Sequence, residues 1–345
     1  MTPPADGLRV AVVGATGAAG STVLRILHER AFPIAEFRAL ASARSAGTSV
    51  QLGGMSHTVG EVSDEALQGV DICFFAAGSA TARRFAPVVA AGGGVAVDKS
   101  SAYRMDAAVP LVVPEVNGEL VSGEPGIVAN PNCVAIPLTV ALNPLHREFG
   151  LRRLTMATYQ SASGGGRNLV GELREQEVAD AEGRTPERTV YPHVLHGNVV
   201  PGGWSMHGLD NDEEVKVVQE TRRVLGLPEL RVSVSTVRVP VAVGHSGAVW
   251  AEFDSAADVD RARELLRSAP GVRYVDDPEH QAYPTPRDAA GTDDVWVGRL
   301  RPDPGNPGGL ALFWSADNLR KGAATNAVQV GELVLARRQA ASPVA

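Results

Sequence analysis

The segment Gly14-Ala15-Thr16-Gly17-Ala18-Ala19-Gly20 constrains the fold more than any other. It follows a β-branched apolar run over residues 8–13 and opens a helical pattern over residues 21–30. Glycines there permit a tight turn and let the backbone approach a pyrophosphate, whose charge meets the N–H groups at the helix start. The spacing is G-x-x-G-x-x-G, a variant of the commoner fingerprint, and a Gly-rich turn alone is a weak signal. Its position at the first strand-to-helix turn of an alternating chain is what points to a dinucleotide.

The alternation continues. Strand patterns cover residues 37–41, 70–76, 95–98 and 127–129, and a helix is predicted over residues 79–91, before Gly92-Gly93-Gly94. This predicts an α/β fold with a Rossmann-type doubly wound parallel sheet. Beyond Cys133 the texture changes. A helix is predicted over residues 134–149 and strands over 154–160, 231–241 and 248–253, around an irregular stretch from Thr185 to Asp212. A mixed α+β domain follows from that pattern, and a last helix over residues 326–339 closes the chain. The 345 residues suit two domains.

Composition narrows the function classes. Aromatic residues make up 5% and the formal charge is −7, with no long basic block, which excludes a nucleic-acid platform. No apolar stretch reaches the ~18 residues that span a bilayer, and residues 1–9 lack a leader's apolar core. Two cysteines do not make a disulfide scaffold, so the cytoplasm is the expected compartment. Cys73, within Val70-Asp71-Ile72-Cys73-Phe74-Phe75, reads as a buried strand residue.

The second strand bears on the cofactor. An acidic residue at its end binds the ribose hydroxyls of NAD, but Leu40-Ala41-Ser42-Ala43-Arg44-Ser45 has no acid and one arginine. A guanidinium there meets a 2′-phosphate, so NADP is expected.

Cys133 follows Asn130-Pro131-Asn132 and precedes Val134-Ala135-Ile136-Pro137. Proline is tolerated near a helix start, so Cys133 sits at an N-terminus, where dipole and amide N–H groups favour the thiolate. A thiolate nucleophile needs a proton-transfer partner. Of 8 histidines, His245 stands out, after Arg238-Val239-Pro240-Val241-Ala242-Val243-Gly244 and before Ser246; His193, His196 and His207 lie in the irregular stretch.

At this point the residues resemble a known family along nearly the whole chain, the aspartate-β-semialdehyde dehydrogenases. The resemblance lies in Val12 to Gly17, Ala41 to Gly47, Val112-Val113-Pro114-Glu115-Val116-Asn117, Asn130 to Cys133, Thr158-Tyr159-Gln160, Val237 to Val241, Gly244-His245-Ser246 and Asp317-Asn318-Leu319-Arg320-Lys321-Gly322-Ala323-Ala324, in the family's order and spacing.

The resemblance implies an oxidoreductase of amino-acid biosynthesis (lysine, threonine, methionine and diaminopimelate) using NADP. Cys133 attacks an aspartyl phosphate, phosphate leaves, hydride reduces the thioester, and L-aspartate 4-semialdehyde is released. His245 matches the acid/base histidine and Gln160 the glutamine that orients the acyl group. Arg238 matches the arginine of the substrate carboxylate, and Arg104 and Lys216 the phosphate-site cations beside Asn132. Glu213 matches the ammonium ligand, with Glu214 an adjacent alternative. Cofactor contacts fall on Gly14, Thr16, Gly17, Ala18, Ala19, Arg44, Ser45, Ser163, Gly164 and Asn318. No metal is implied. The domains run 1–132 for NADP, 133–317 for catalysis and dimerisation, and 318–345 for a C-terminal helix returning to the first. A homodimer or dimer of dimers is expected.

The chain departs from the family in places. Val134 and Ala135 stand where Ser or Thr commonly follow the nucleophile. His196-Gly197-Asn198 replaces Ala-Phe-Asn, and Ser161-Ala162-Ser163-Gly164-Gly165-Gly166 is unusually Gly-rich. A specialised paralogue for a related acyl phosphate or acyl-CoA, or a non-catalytic homologue, are the competing readings.

Overall fold

The structure, a computed structural model, describes residues 7–341. The first six residues, on which part of the leader reading rests, lie outside that range. The chain forms two compact units, one built from the residues up to Asn132 and from Ala323 onward, the other from Cys133 to Gly322.

In the first unit β1 (Leu8–Val13), α1 (Ala18–Glu29) and β2 (Ile34–Ala41) are followed by the hairpin β3 (Ser49–Leu52) and β4 (Met55–Thr58). Then come β5 (Gly60–Glu61), β6 (Ile72–Phe75), α2 (Ser79–Ala91), β7 (Val95–Asp98), the short α3 (Pro114–Asn117) and β8 (Gly126–Ala129). The sheet runs β5-β2-β1-β6-β7-β8, all parallel. Strand alternation gives it two apolar faces. Val10, Val12, Ile72, Phe74, Val95 and Val97 pack with α1 residues and with Val328, Val330 and Val334 of the C-terminal helix. Ala11, Val13, Cys73, Phe75 and Ala96 pack with Ala82, Ala86 and Val89 of α2. The sheet is therefore doubly wound, and Cys73 is a core residue whose thiol burial pushes up.

The second unit holds α4 (Ala135–Phe149), β9 (Leu151–Gln160), α5 (Arg167–Ala181), three two-residue strands β10 (Val200–Pro201), β11 (Met206–His207) and β12 (Asp210–Asn211), and α6 (Asp212–Leu225). It continues through β13 (Arg231–Arg238), β14 (His245–Phe253), α7 (Val259–Ser268), β15 (Val272–Tyr274), α8 (Pro286–Ala289), β16 (Val295–Pro302) and β17 (Leu310–Ala316). A mixed seven-stranded sheet runs β10-β13-β9-β14-β17-β16-β15. β13 ends at Arg238 rather than continuing to Val241, because Pro240 has no N–H to give a ladder.

Helix α4 packs on β9, β14, β16 and β17, with α6 on β13 and α7 on β15 and β16. The register puts Tyr159, Trp250, Ala248 and Phe313 on the sheet face opposite the side chains of Gln160 and His245. Tyr159 and Phe313 stack there with centroids 5.9 Å apart, while Tyr159 and Trp250 each remain 36% exposed.

The helix α9 (Thr325–Ala341) closes the first unit. Residues 318–322, grouped with it by the sequence reading, belong instead to the second unit. Their bonds hold them there: Asn318 to Gly244, and Arg320 to Asp293 at 2.9 Å. Among the described residues no helix is long and apolar enough to cross a membrane.

Candidate active site

The second unit's sheet delivers three side chains to one end. Arg238 lies opposite Gln160 in the parallel ladder of β13 and β9. β14 runs antiparallel to β9, so its first residue, His245, starts where β9 finishes. Alternation directs all three to the face that carries α4. Each is at least 97% buried.

Each also has a buried polar atom with no hydrogen-bond partner among the described residues: Gln160 Nε2, Arg238 Nε and His245 Nε2. Orphaned buried donors are costly and uncommon. Three at one end of the sheet form a polar cluster able to hydrogen-bond a ligand.

The rest of each side chain is fixed. Arg238 Nη1 donates to the Ser161 carbonyl at 2.7 Å. The Ser161 N–H donates to His245 Nδ1 at 3.0 Å. Asn318 Oδ1 accepts from Ser161 Oγ at 3.1 Å, Ser163 Oγ at 2.9 Å and the Gly244 N–H at 3.0 Å. Burial, and then the Arg238 charge, hold His245 well below the ordinary imidazole range. Gly164 forms a wall of this cluster: a Cβ there would stand 2.9 Å from Arg238 Nη1 and 3.2 Å from His245 Nε2.

Cys133 is half-buried in the turn two residues before α4, and Pro137 is the third residue of that helix, as its position after the cysteine predicts. Neither cysteine is in a disulfide. Val134 and Ala135 are both fully buried. The 317–322 segment passes close to the thiol's backbone; a Cβ on Gly322 would stand 3.4 Å from Cys133 Cβ.

On α6 a capping box separates the two candidate glutamates. Asn211 Oδ1 accepts from the Glu213 and Glu214 N–H groups, and Glu214 Oε2 accepts from the Asn211 N–H at 2.9 Å. Glu214 Oε1 accepts from the Thr236 N–H at 3.1 Å, which ties α6 to β13 two residues before Arg238. Glu214 is thereby committed to structure. Glu213, which is buried where Glu214 is only partly so, pairs with Lys216 at 3.0 Å, and Asp212 pairs with it at 2.8 Å. Burial opposes the Lys216 charge, but the Glu213 and Asp212 carboxylates outweigh it and hold its pKa above the ordinary lysine range.

In the first unit the glycine loop divides its tasks. Gly14 has φ +84°, and a Cβ there would press within 2.9 Å of the Ala76 backbone. A Cβ on Gly20 would reach 2.1 Å from the Gly14 carbonyl, so Gly20 lets α1 pack against β1. Gly17, the N-cap of α1, is exposed, and a Cβ there would meet only the Gly14 carbonyl, at 3.4 Å. No side chain caps this helix start, which leaves its N–H groups for a phosphate, with Thr16, Ala18 and Ala19 around it. Leu40 O accepts from Gly14 N at 2.8 Å, which holds the end of β2 against the loop. Arg44 and Ser45 follow on a single 3₁₀ turn, with Arg44 exposed. Arg104 donates from Nε to the Asn130 carbonyl at 3.0 Å and from Nη2 to the Lys99 carbonyl at 2.6 Å, and Asn132 is buried.

Ser161 is the residue that sequence reasoning missed. Its signal was its place between Gln160 and Ser163.

Residues 9–123 match the family described as semialdehyde dehydrogenase, NAD binding domain, and residues 142–321 match semialdehyde dehydrogenase, dimerisation domain. Aspartate-semialdehyde dehydrogenases from Synechocystis sp. and Streptomyces akiyoshiensis are 43% and 47% identical, over 96% and 95% of this chain and 98% and 99% of theirs. The chain belongs to the aspartate-semialdehyde dehydrogenase family. A crystal structure of aspartate-semialdehyde dehydrogenase II from Vibrio cholerae superposes with a TM-score of 0.92 at 38% identity, covering 96% of this chain and 99% of that one. The same Vibrio enzyme is also known complexed with ASA. The family's two domains span the nicotinamide-dinucleotide loop and the mixed sheet described above.

Proposed function

We propose that this chain reduces L-aspartyl 4-phosphate to L-aspartate 4-semialdehyde with NADPH, reversibly, through a thioester on Cys133. The observation that carries the reading is the cluster of Gln160, Arg238 and His245, each buried and each presenting an orphaned polar atom.

Cys133 Sγ attacks the acyl carbon, the bond to the phosphate oxygen breaks, and the acyl group remains on sulfur. When bound, NADPH supplies the hydride that reduces this thioester. The C–S bond then breaks and the aldehyde leaves. Arg238 meets the substrate α-carboxylate with its planar fork, and Gln160 Nε2 orients the acyl group. His245 presents Nε2 to the acyl oxygen. Glu213 takes the substrate ammonium, while Lys216 holds the phosphate. Lys216 exchanges a carboxylate partner for the phosphate when it does so.

The first unit, with α9, serves as the NADP domain. The pyrophosphate rests on Gly14 to Ala19, and Arg44 and Ser45 meet the 2′-phosphate. The second unit serves catalysis and dimerisation, with the face of Tyr159, Trp250 and Phe313 as the homodimer contact, two dimers pairing further. Two reduced cysteines suit the cytoplasm.

The test is phosphate-dependent reduction of NADP by aspartate semialdehyde. Turnover that requires both phosphate and semialdehyde is expected, and its absence refutes the reading. Val134 and Ala135 favour one competing reading, a specialised acyl phosphate. Turnover of another semialdehyde with a higher kcat/KM would establish it.

A further inference from the structure

We infer that Asp212 is the fixed anchor of Lys216, a positioning residue that holds the lysine for phosphate, while Glu213 is the partner the lysine gives up. The inference rests on the reading above, in which Lys216 takes the phosphate and Glu213 the ammonium.

The order of residues on α6 sets up the choice. Asp212 and Glu213 stand four and three residues before Lys216, the spacings at which helix side chains meet. Lys216 Nζ donates to Asp212 Oδ2 at 2.8 Å and to Glu213 Oε1 at 3.0 Å. An ammonium has three donors, so releasing one carboxylate leaves two for a phosphate.

The two carboxylates differ in what holds them. Asp212 Oδ1 accepts from the Trp204 N–H at 2.9 Å and the Ser205 N–H at 3.2 Å. The Asp212 N–H donates in return to the Ser205 carbonyl at 2.9 Å. Burial opposes the Asp212 charge, but Lys216 and these two N–H groups outweigh it and hold its pKa below the ordinary aspartate range. Glu213 has one more side-chain torsion, so its carboxylate can turn while its own N–H stays on Asn211 Oδ1.

The turn against which Asp212 is bonded is itself held from three sides. β10 leads into it and pairs Val200 with Arg238. The Gly202 N–H donates to the Thr236 carbonyl at 2.9 Å, on the strand that ends in Arg238. The Trp204 ring meets Tyr191 edge-on at 5.1 Å and lies against Gly165, where a Cβ would stand 2.9 Å from Trp204 Cζ2. That contact accounts for one glycine of the Gly-rich turn after Gln160. Gly203 lets the chain come close to the carboxylate, since a Cβ there would stand 2.3 Å from Asp212 Oδ1. Asp212 therefore ties Lys216 to the strand end that bears Arg238, and the two cations share one frame.

The test is phosphate-dependent reduction of NADP, with KM for inorganic phosphate and kcat read separately. Asp212→Asn keeps an oxygen for the Trp204 and Ser205 N–H groups but removes the charge that faces Lys216. It should raise KM for phosphate roughly tenfold with kcat within about 3-fold, the split expected when a charge-assisted contact to a bound group is misplaced. Gly203→Ala leaves every charge in place and displaces Asp212, so its KM for phosphate should rise as well. Glu213→Gln should raise KM for the semialdehyde and not that for phosphate. A KM for phosphate that is unchanged or lowered in Asp212→Asn, the result of losing a mere competitor, overturns the inference. Lys216→Ala separates this from the parent reading. An unchanged KM for phosphate in that variant refutes the phosphate assignment itself, whereas a rise there without one in Asp212→Asn refutes the anchor alone.

Discussion

Arg238 lies opposite Gln160 in the β9–β13 ladder, and its Nη1 donates at 2.7 Å to the carbonyl of the residue after Gln160. One guanidinium edge thus holds the strand end while Nε is left for a ligand. Lysine has one point of charge and cannot do both. Arg238→Lys should raise KM for the semialdehyde, lowering kcat/KM by roughly 10–100-fold, the worth of a charged hydrogen-bonded pair. Steady-state kinetics with saturating NADP and phosphate check this; an unchanged KM removes Arg238 from the substrate site.

Gly164 is needed for space rather than for backbone conformation, since its missing Cβ would meet Arg238 Nη1 at 2.9 Å and His245 Cε1 at 3.1 Å. Gly164→Ala should therefore fold with a melting temperature within a few degrees of the parent, because a local shift costs about 1 kcal/mol. Its kcat should fall by at least about tenfold, because sub-ångström misplacement of catalytic groups is costly. A variant of parental kcat contradicts the wall placed here.

Much of this was legible in the chain. Strands β1, β6 and β7 announce themselves because both their faces are apolar, so Val10 to Val13 or Val95 to Val97 read as strands whatever their partners, whereas the exposed β3, β4 and β5 gave no such signal. Cys133 could be placed because Pro137 restricts where a helix starts. Helix α5 could not. Its buried face is Leu169, Glu172, Leu173, Gln176 and Ala179, and two of those five are polar. They point inward to bond the backbone of residues 189–196, a role invisible to hydrophobic periodicity. The Ser161–His245 contact spans 84 residues, and no local pattern encodes it. The roles of Gln160, Glu213 and Lys216 came from family resemblance, since each alone reads as an ordinary strand end or helix face.

Glu172 gives a stability prediction. Its carboxylate accepts from the N–H groups of Thr189, Val190 and Tyr191 and from the Thr189 hydroxyl. Burial opposes its charge, but these donors outweigh burial and hold its pKa below the ordinary glutamate range. A carboxyl whose folded pKa is depressed stabilises above its unfolded value and loses that contribution as pH falls through the folded one. Glu172→Gln should lower stability at pH 7 by roughly 1–3 kcal/mol. The gap to the parent should close in acid, below the unfolded value of about 4.3. Urea unfolding across pH reads both; a gap independent of pH would contradict the charge argument.

The cofactor preference turns on Arg44. Replacing it with Glu puts a carboxylate where the 2′-phosphate is proposed to lie. Arg44→Glu should lower kcat/KM for NADP by about 10-fold or more while leaving that for NAD within about 3-fold, since one charge-assisted contact is worth roughly 1.5–3 kcal/mol. Equal losses with both cofactors would dissociate Arg44 from the 2′-phosphate.

The central claim is the thioester on Cys133. It is tested most directly by mixing the protein with semialdehyde and NADP in the absence of phosphate, then following NADPH formation and intact mass. The account predicts a burst of about one NADPH per chain and an acyl adduct on Cys133, both abolished in Cys133→Ala. A burst, or phosphate-dependent turnover, that survives in Cys133→Ala would contradict it.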